Sequence, residues 1–300
     1  MNKITQSHCA LFAANLIYAA NFTIAKDVMP NYIQPFGFIL LRVSGALLLY
    51  WLVAAVIKNE KVDKKDFPRL FFCGLFGIAI NQLLFFKGLN TTSPINAAIM
   101  MVCTPILVVI ISSFLIKDKI KIVKIVGVVL GLAGAIALIV TSHASSSKIG
   151  EATFSGDMCV LINATSWAIY LVIVKPLMLK YNTLTVIKWA FLFGFILVFP
   201  FGFEELQAVK WATMSSFIVW EVIFVVVATT FFAYLFNTFA LKHLSASVVS
   251  IYIYLQPLLA ALIAVSLGKD ELTFVKVVCT ILIFVGVYLV SNSRFDSVKK

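Results

Sequence analysis

Charge is what this sequence has least of. Only 12% of its 300 residues are Asp, Glu, Lys or Arg, about half the share found in soluble domains, and just 13 of them are acidic. With 62% hydrophobic residues and a mean hydropathy of +1.03, a water-soluble globular fold is excluded. Histidine is nearly missing. His8, His143 and His243 fall at or near the ends of apolar runs, so neither a histidine metal cluster nor a histidine-dependent triad can be built inside. Cys9, Cys73, Cys103, Cys159 and Cys279 lie within apolar runs without Cys-x-x-Cys spacing and read as small packing residues. The run Gly127-x-x-x-Gly131-x-x-Gly134 lacks the strand and loop of a phosphate-binding turn and suits small-residue helix packing. The sequence is therefore expected to encode no enzyme and to use no cofactor or metal.

What it has is long apolar runs. A bilayer core about 30 Å thick is crossed by about 20 helical residues at 1.5 Å each. On that ruler ten spans follow, at 8–25, 35–57, 68–87, 94–116, 122–141, 154–174, 184–202, 214–236, 245–267 and 273–291. The expected fold is an all-α protein of the lipid bilayer whose short connections leave no room for a soluble domain. Span one carries small residues near Ala19-Ala20, as a signal peptide would. It is expected to persist as a span, because Tyr18 to Lys26 matches Trp167 to Lys175 in mid-chain.

The net charge of +11 is distributed by side of the membrane. With the N-terminus inside, seventeen lysines and arginines fall on the cytoplasmic side against six outside. That asymmetry predicts that both termini are cytoplasmic, and it removes nucleic acid as a partner; the expected location is an inner membrane of bacterial type. The oligomeric state stays open, and a monomer suffices.

One pattern occurs twice. Thr104-Pro105-Ile106-Leu107, followed by Lys117-Asp118, returns as Gln256-Pro257-Leu258-Leu259 followed by Lys269-Asp270, an offset of 152 residues. The same offset aligns Leu89 with Leu241, Ile99 with Ile251 and Gly134 with Gly286. The expected organisation is a first five-helix repeat (1–141), a polar hinge (142–153), a second repeat (154–292) and a tail (293–300). Five spans per copy is an odd number, so the second copy enters the membrane from the opposite side. Such inverted repeats are the architecture of many secondary transporters.

Polar groups at membrane depth are expensive and face other helices or a wet cavity. Asn21 on span one, Gln82 on span three, Asn96 on span four, Trp167 and Tyr170 on span six, Tyr234 on span eight and Gln256 on span nine are candidate substrate contacts; interhelical hydrogen bonding is the alternative for each. The offset pairs Gln82 with Tyr234, which sets this pair apart. Arg42 is the only charge well inside a span, placed either to recognise a carboxylate or phosphate or to reach the outer interface. Pro105 and Pro257 are expected as mid-helix hinges, or simple packing kinks, with Thr104 and Gln256 as partners for the freed carbonyls. Glu221 aligns with Arg69 at the entrance of span three, so it is expected at the interface.

At these residues the chain resembles the drug/metabolite transporter superfamily in its EamA-type ten-span branch, over nearly its whole length. The similar segments are Tyr18-Ala19-Ala20-Asn21-Phe22, Leu41-Arg42, Gly88-Leu89 to Ser93, Asn96-Ala97-Ala98, Thr104-Pro105, Gly156-Asp157 and Trp167-Ala168-Ile169-Tyr170. Tyr18 stands where tryptophan is commoner, and Lys117 where glycine is. The resemblance implies a carrier of small organic metabolites, often amino acids or related solutes, through a central cavity between the copies. A channel-like pore and a non-transporting scaffold or sensor are the other readings.

Overall fold

A computed structural model of the chain describes residues 2–56, 60–91, 100–115, 121–143, 154–266 and 273–292. Asn96, Lys117-Asp118, Lys269-Asp270 and hinge residues 144–153 lie outside the described residues. In hydrocarbon the backbone must satisfy its own N–H and C=O groups, which for single apolar segments means helix. Every described span is helical. Spans one and two are Lys3–Val28 and Pro35–Val56. Span three joins Phe67–Gly74, a π-helical turn Leu75–Ile80 and Asn81–Thr91. Spans four and five are Thr104–Leu115 and Ile122–His143. Span six joins Phe154–Ile173 to Lys175–Lys180, and span seven is Thr183–Gln207. Span eight joins Ser216–Phe224, a π-helical turn Val225–Phe232 and Ala233–His243. Span nine joins Ala246–Ile251, a 3₁₀ turn Tyr252–Tyr254 and Leu255–Ser266, and span ten is Phe274–Asn292. Pro35–Val56, Lys64–Gly88, Phe154–Lys180, Thr183–Gln207 and Ser216–His243 are each long and apolar enough to cross a bilayer.

Packing follows the duplication. Span two packs on seven, four on nine and five on ten, each against its own repeat mate. Other large contacts come in exchanged pairs: one with eight and six with three, one with nine and six with four, two with eight and seven with three. This is the contact pattern of two inverted five-helix repeats about a pseudo-two-fold axis.

Adding 152 to the π-helical turn at 75–80 gives 227–232, inside the second π-helical turn. The two widenings are one feature written twice. A π turn displaces carbonyls from their usual partners, and neighbouring spans supply donors. Ser166 Oγ donates to Phe76 O at 2.6 Å, Asn163 Nδ2 to Asn81 O at 2.6 Å, and Tyr50 Oη to Phe231 O at 2.6 Å. Tyr50→Phe should therefore lower thermal stability in detergent by the cost of one orphaned buried carbonyl, about 1–3 kcal/mol. An unchanged melting temperature would show that Phe231 O has another donor.

The prolines do not sit in mid-helix as expected. A turn at Cys103 precedes the helix in which Pro105 is the second residue, and the 3₁₀ turn Tyr252–Tyr254 precedes the helix in which Pro257 is the third. Both breaks lie upstream, and the prolines occupy first turns, where a missing N–H costs little. Thr104 Oγ1 donates to Met101 O at 2.6 Å, capping the carbonyl that Pro105 leaves free. Gln256 does not take the corresponding role. Its longer side chain reaches span one, where Nε2 donates to Asn15 Oδ1 at 3.0 Å.

Spans five and ten meet through glycines. A Cβ on Gly127 would fall 2.9 Å from Gly286 O, one on Gly286 2.6 Å from Gly127 O, and one on Gly131 2.4 Å from the Tyr254 ring. The glycine run is a packing seam. Glu221, expected at the interface, is buried at 6% exposure. Its neighbours on the helix, Ile218 and Val222, belong to an apolar cluster with Ala25 and Val28.

Candidate functional site

A cavity of about 110 Å³ opens in the middle of the bundle, between spans one, two, three, four, six, eight and nine. Its walls include Asn21, Arg42, Gln82, Trp167, Tyr234 and Gln256, six of the expected contacts. Tyr170 is not among the lining residues. It stands behind Trp167, ring on ring at 5.0 Å between centroids, with its hydroxyl 3.3 Å from Thr238 Oγ1. Pro105 and Pro257 shape spans four and nine without lining the cavity. Asn15, Tyr18, Asn81, Phe85, Phe86, Asn163, Thr229 and Asn237 complete most of the wall. The asparagines were legible as polar groups at membrane depth and Tyr18 through the family-like segment, but nothing in the sequence singles out Thr229, Phe85 or Phe86.

The cavity lies on the repeat axis. Gln82 Nε2 donates to Tyr234 Oη at 3.2 Å, so two residues 152 apart, mates by the duplication, touch. Met101 and Ile253, also 152 apart, both line the cavity, as do the mates Tyr18 and Trp167.

Arg42 supplies the one charged side chain among the described lining residues. It is 5% exposed, so it does not reach the outer interface. Its Nε donates to Thr230 Oγ1 at 3.0 Å, and the guanidinium carbon lies 5.3 Å from the centre of the Phe86 ring. A guanidinium held by a hydroxyl and a ring face, with no carboxylate among the described residues of the same wall, keeps N–H donors for an anion.

The remaining polarity is acceptor-rich. Asn21 Oδ1, Gln82 Oε1, Asn163 Oδ1 and Thr229 Oγ1 are buried lining atoms without a hydrogen-bond partner among the described residues. Two of these orientations follow from the network. Asn163 must present Nδ2 to the Asn81 carbonyl, and Gln82 presents Nε2 to Tyr234, whose hydroxyl donates to Gly77 O at 3.4 Å. Their oxygens are left over for a donor inside the cavity.

Residues 5–140 and again 154–292 match the EamA-like transporter family. The chain belongs to that family. Among similar proteins, an uncharacterized transporter of Archaeoglobus fulgidus is 25% identical over 88% of this chain and 91% of its own length. The uncharacterized transporter YyaM of Bacillus subtilis is 23% identical over 94% and 92%, and Protein WALLS ARE THIN 1 of Arabidopsis thaliana is 24% identical over 98% and 84%. A protein of known crystal structure has the same fold over 99% of both chains, with a TM-score of 0.79 at 17% identity. Transporters, not enzymes, are the company this chain keeps.

In this EamA-like transporter, contacts from the end of span six and the two residues after it tie elements together at the lysine-rich end of the bundle. Lys175 donates to the carbonyls of Leu241 and Leu244, the latter at 2.7 Å, and so caps the C-terminus of span eight. Lys180 binds Asp63 and Asp66, Tyr181 Oη donates to Asp66 at 2.7 Å, and the Asn182 N–H donates to Glu60 at 2.8 Å. The Lys180 ammonium holds both carboxyls below the usual carboxylate range. Depressed acid values mean that the contact is complete above the ordinary value of about 3.9 and is lost only as pH falls through the lowered one. At neutral pH this latch is pH-insensitive, and being exposed it adds little stability.

Proposed function

We propose that this family member is a secondary transporter of small organic metabolites, amino acids or related solutes. In this reading it works across a bacterial inner membrane by alternating access, with both termini in the cytoplasm. The observation that carries the reading is a polar and aromatic cavity on the repeat axis with, among the described residues, one cation and four unpaired oxygens. A substrate carboxylate pairs with Arg42. Its ammonium or hydroxyl donors meet Asn21, Gln82, Asn163 and Thr229, and Trp167 and Tyr18 offer ring faces to its apolar part. Two similar halves of opposite orientation give inward-open and outward-open states of comparable energy, and the upstream breaks in spans four and nine let each bend.

Purified protein in liposomes, offered labelled amino acids and other metabolites with and without a pH gradient, tests this. Saturable uptake with counterflow is expected. Flux that never saturates and shows no counterflow would make it a pore, and no flux above empty liposomes from folded, inserted protein would end the transport reading. A second expectation concerns closure. Lys175→Met should raise labelling of an Asn237→Cys probe from the lysine-rich side about tenfold, the weight of one charge-assisted hydrogen bond. Unchanged labelling would assign closure to other contacts.

A further inference from the structure

We propose that the crevice between spans three, four and six at the lysine-rich end is a seat for one anionic phospholipid of the adjoining leaflet. The crevice is an open groove of about 670 Å³. Its chemistry is graded from rim to floor. Lys65 and Arg69 stand at the rim, and Phe72, Phe76, Ile169 and Ile173 form the walls below. From Lys65 to Phe76 is eleven residues, about 16 Å at 1.5 Å each, half of a hydrocarbon core about 30 Å thick. The crevice is thus as deep as one leaflet.

Polar rim and apolar depth match a headgroup and an acyl chain. The sign of the headgroup follows from the rim. Asp66, the one acid among the described lining residues, is engaged by Lys180 and Tyr181, which leaves the positive field of Arg69 and Lys65 uncancelled. Lys65 is 77% exposed and only 3.8 Å from Asp63, a loose pair that a phosphate can replace. Phe72 is 47% exposed, so the wall opens sideways to lipid. A basic pocket between spans on the positively charged side is a recurrent lipid-headgroup site.

The seat also touches the transport machinery. Phe76 belongs to the π-helical turn of span three. Its carbonyl accepts from Ser166, and the carbonyl of the next residue, Gly77, accepts from Tyr234 in the central wall. A lipid against Phe76 therefore bears on the turn that leads into the helix carrying Gln82. The site stands on its own geometry and holds whatever the transported solute is.

The test reconstitutes the protein in phosphatidylcholine vesicles with and without phosphatidylglycerol, re-extracts it gently and counts bound lipid by native mass spectrometry. One retained phosphatidylglycerol per chain is expected, with phosphatidylcholine retained less. Arg69→Gln should lower that occupancy about fivefold, the weight of one cation at a lipid surface, and adding Lys65→Gln should lower it further. Ile173→Trp, which fills the crevice and leaves the rim intact, should remove either lipid. Circular dichroism and elution profile establish that each variant is folded, and the exposed Arg69 keeps the test decisive if Ile173→Trp does not fold. Equal retention of the two lipids in the unaltered protein, or undiminished phosphatidylglycerol in Arg69→Gln, overturns the proposal.

Discussion

Arg42→Ala is expected to lower transport of carboxylate-bearing substrates by at least tenfold while neutral analogues of similar size lose less than about threefold. The estimate rests on charge-assisted hydrogen bonds, worth about 1.5–3 kcal/mol each, or roughly 10–150-fold. The cavity wall has no second cation among its described residues to compensate. Stability should move the other way or not at all. Truncation removes a buried charge that no carboxylate among the described cavity residues neutralises, at the cost of one bond to Thr230. Parallel measurement of melting temperature and of Km and Vmax for the two substrate classes separates the roles. Equal loss for anionic and neutral solutes, together with a lower melting temperature, would leave Arg42 structural. Arg42→Lys should recover part of the anion transport, because charge returns but the fork geometry does not.

The second large effect is structural. Gly286→Val should destabilise the protein by about 1–3 kcal/mol or more, because its Cβ would lie 2.6 Å from a backbone oxygen of Gly127 and 2.7 Å from the Gly131 nitrogen. Backbone cannot rotate away, so spans five and ten must separate along their seam. Gly45→Ala is the control. There the nearest atom is a Val226 methyl at 2.5 Å, the end of a side chain that can change rotamer. Thermal unfolding in detergent should show a clearly larger drop for Gly286→Val than for Gly45→Ala. Equal shifts would mean that the seam is softer than its distances indicate.

The duplication was the most legible part of the fold, and its reach was chemical as well as architectural. An offset read from Thr104-Pro105 and Gln256-Pro257 paired Gln82 with Tyr234, two residues now found hydrogen-bonded. Arg42 and Trp167 were legible because charge and large polar rings are costly at that depth. Other features had no compositional mark. A π turn adds one residue to one turn and rotates everything beyond it, so helical periodicity read across 75–80 or 225–232 assigns faces wrongly. Tyr170 shows a different limit: one turn from Trp167, it was grouped with it, yet it packs behind that ring toward Thr238. Glu221 was placed at the interface by alignment with Arg69; it lies near the start of span eight, and what the alignment did not show is that its side of the helix packs inward beside Ile218 and Val222. Thr104 capped its carbonyl as expected while Gln256 did not, because reach across to Asn15 depends on interhelical spacing that sequence does not encode.

One contact has a property that none of the others described shares. When two inverted repeats exchange conformations, each contact between two residues is replaced by the contact between their mates. The bond between Gln82 and Tyr234 joins a residue to its own mate, so the exchange returns it to itself. In the proposed alternating-access cycle it would be the fulcrum of the movement, loaded equally in both directions. Substitutions there should slow inward and outward passage by the same factor, whereas those at Lys175 bias one direction against the other.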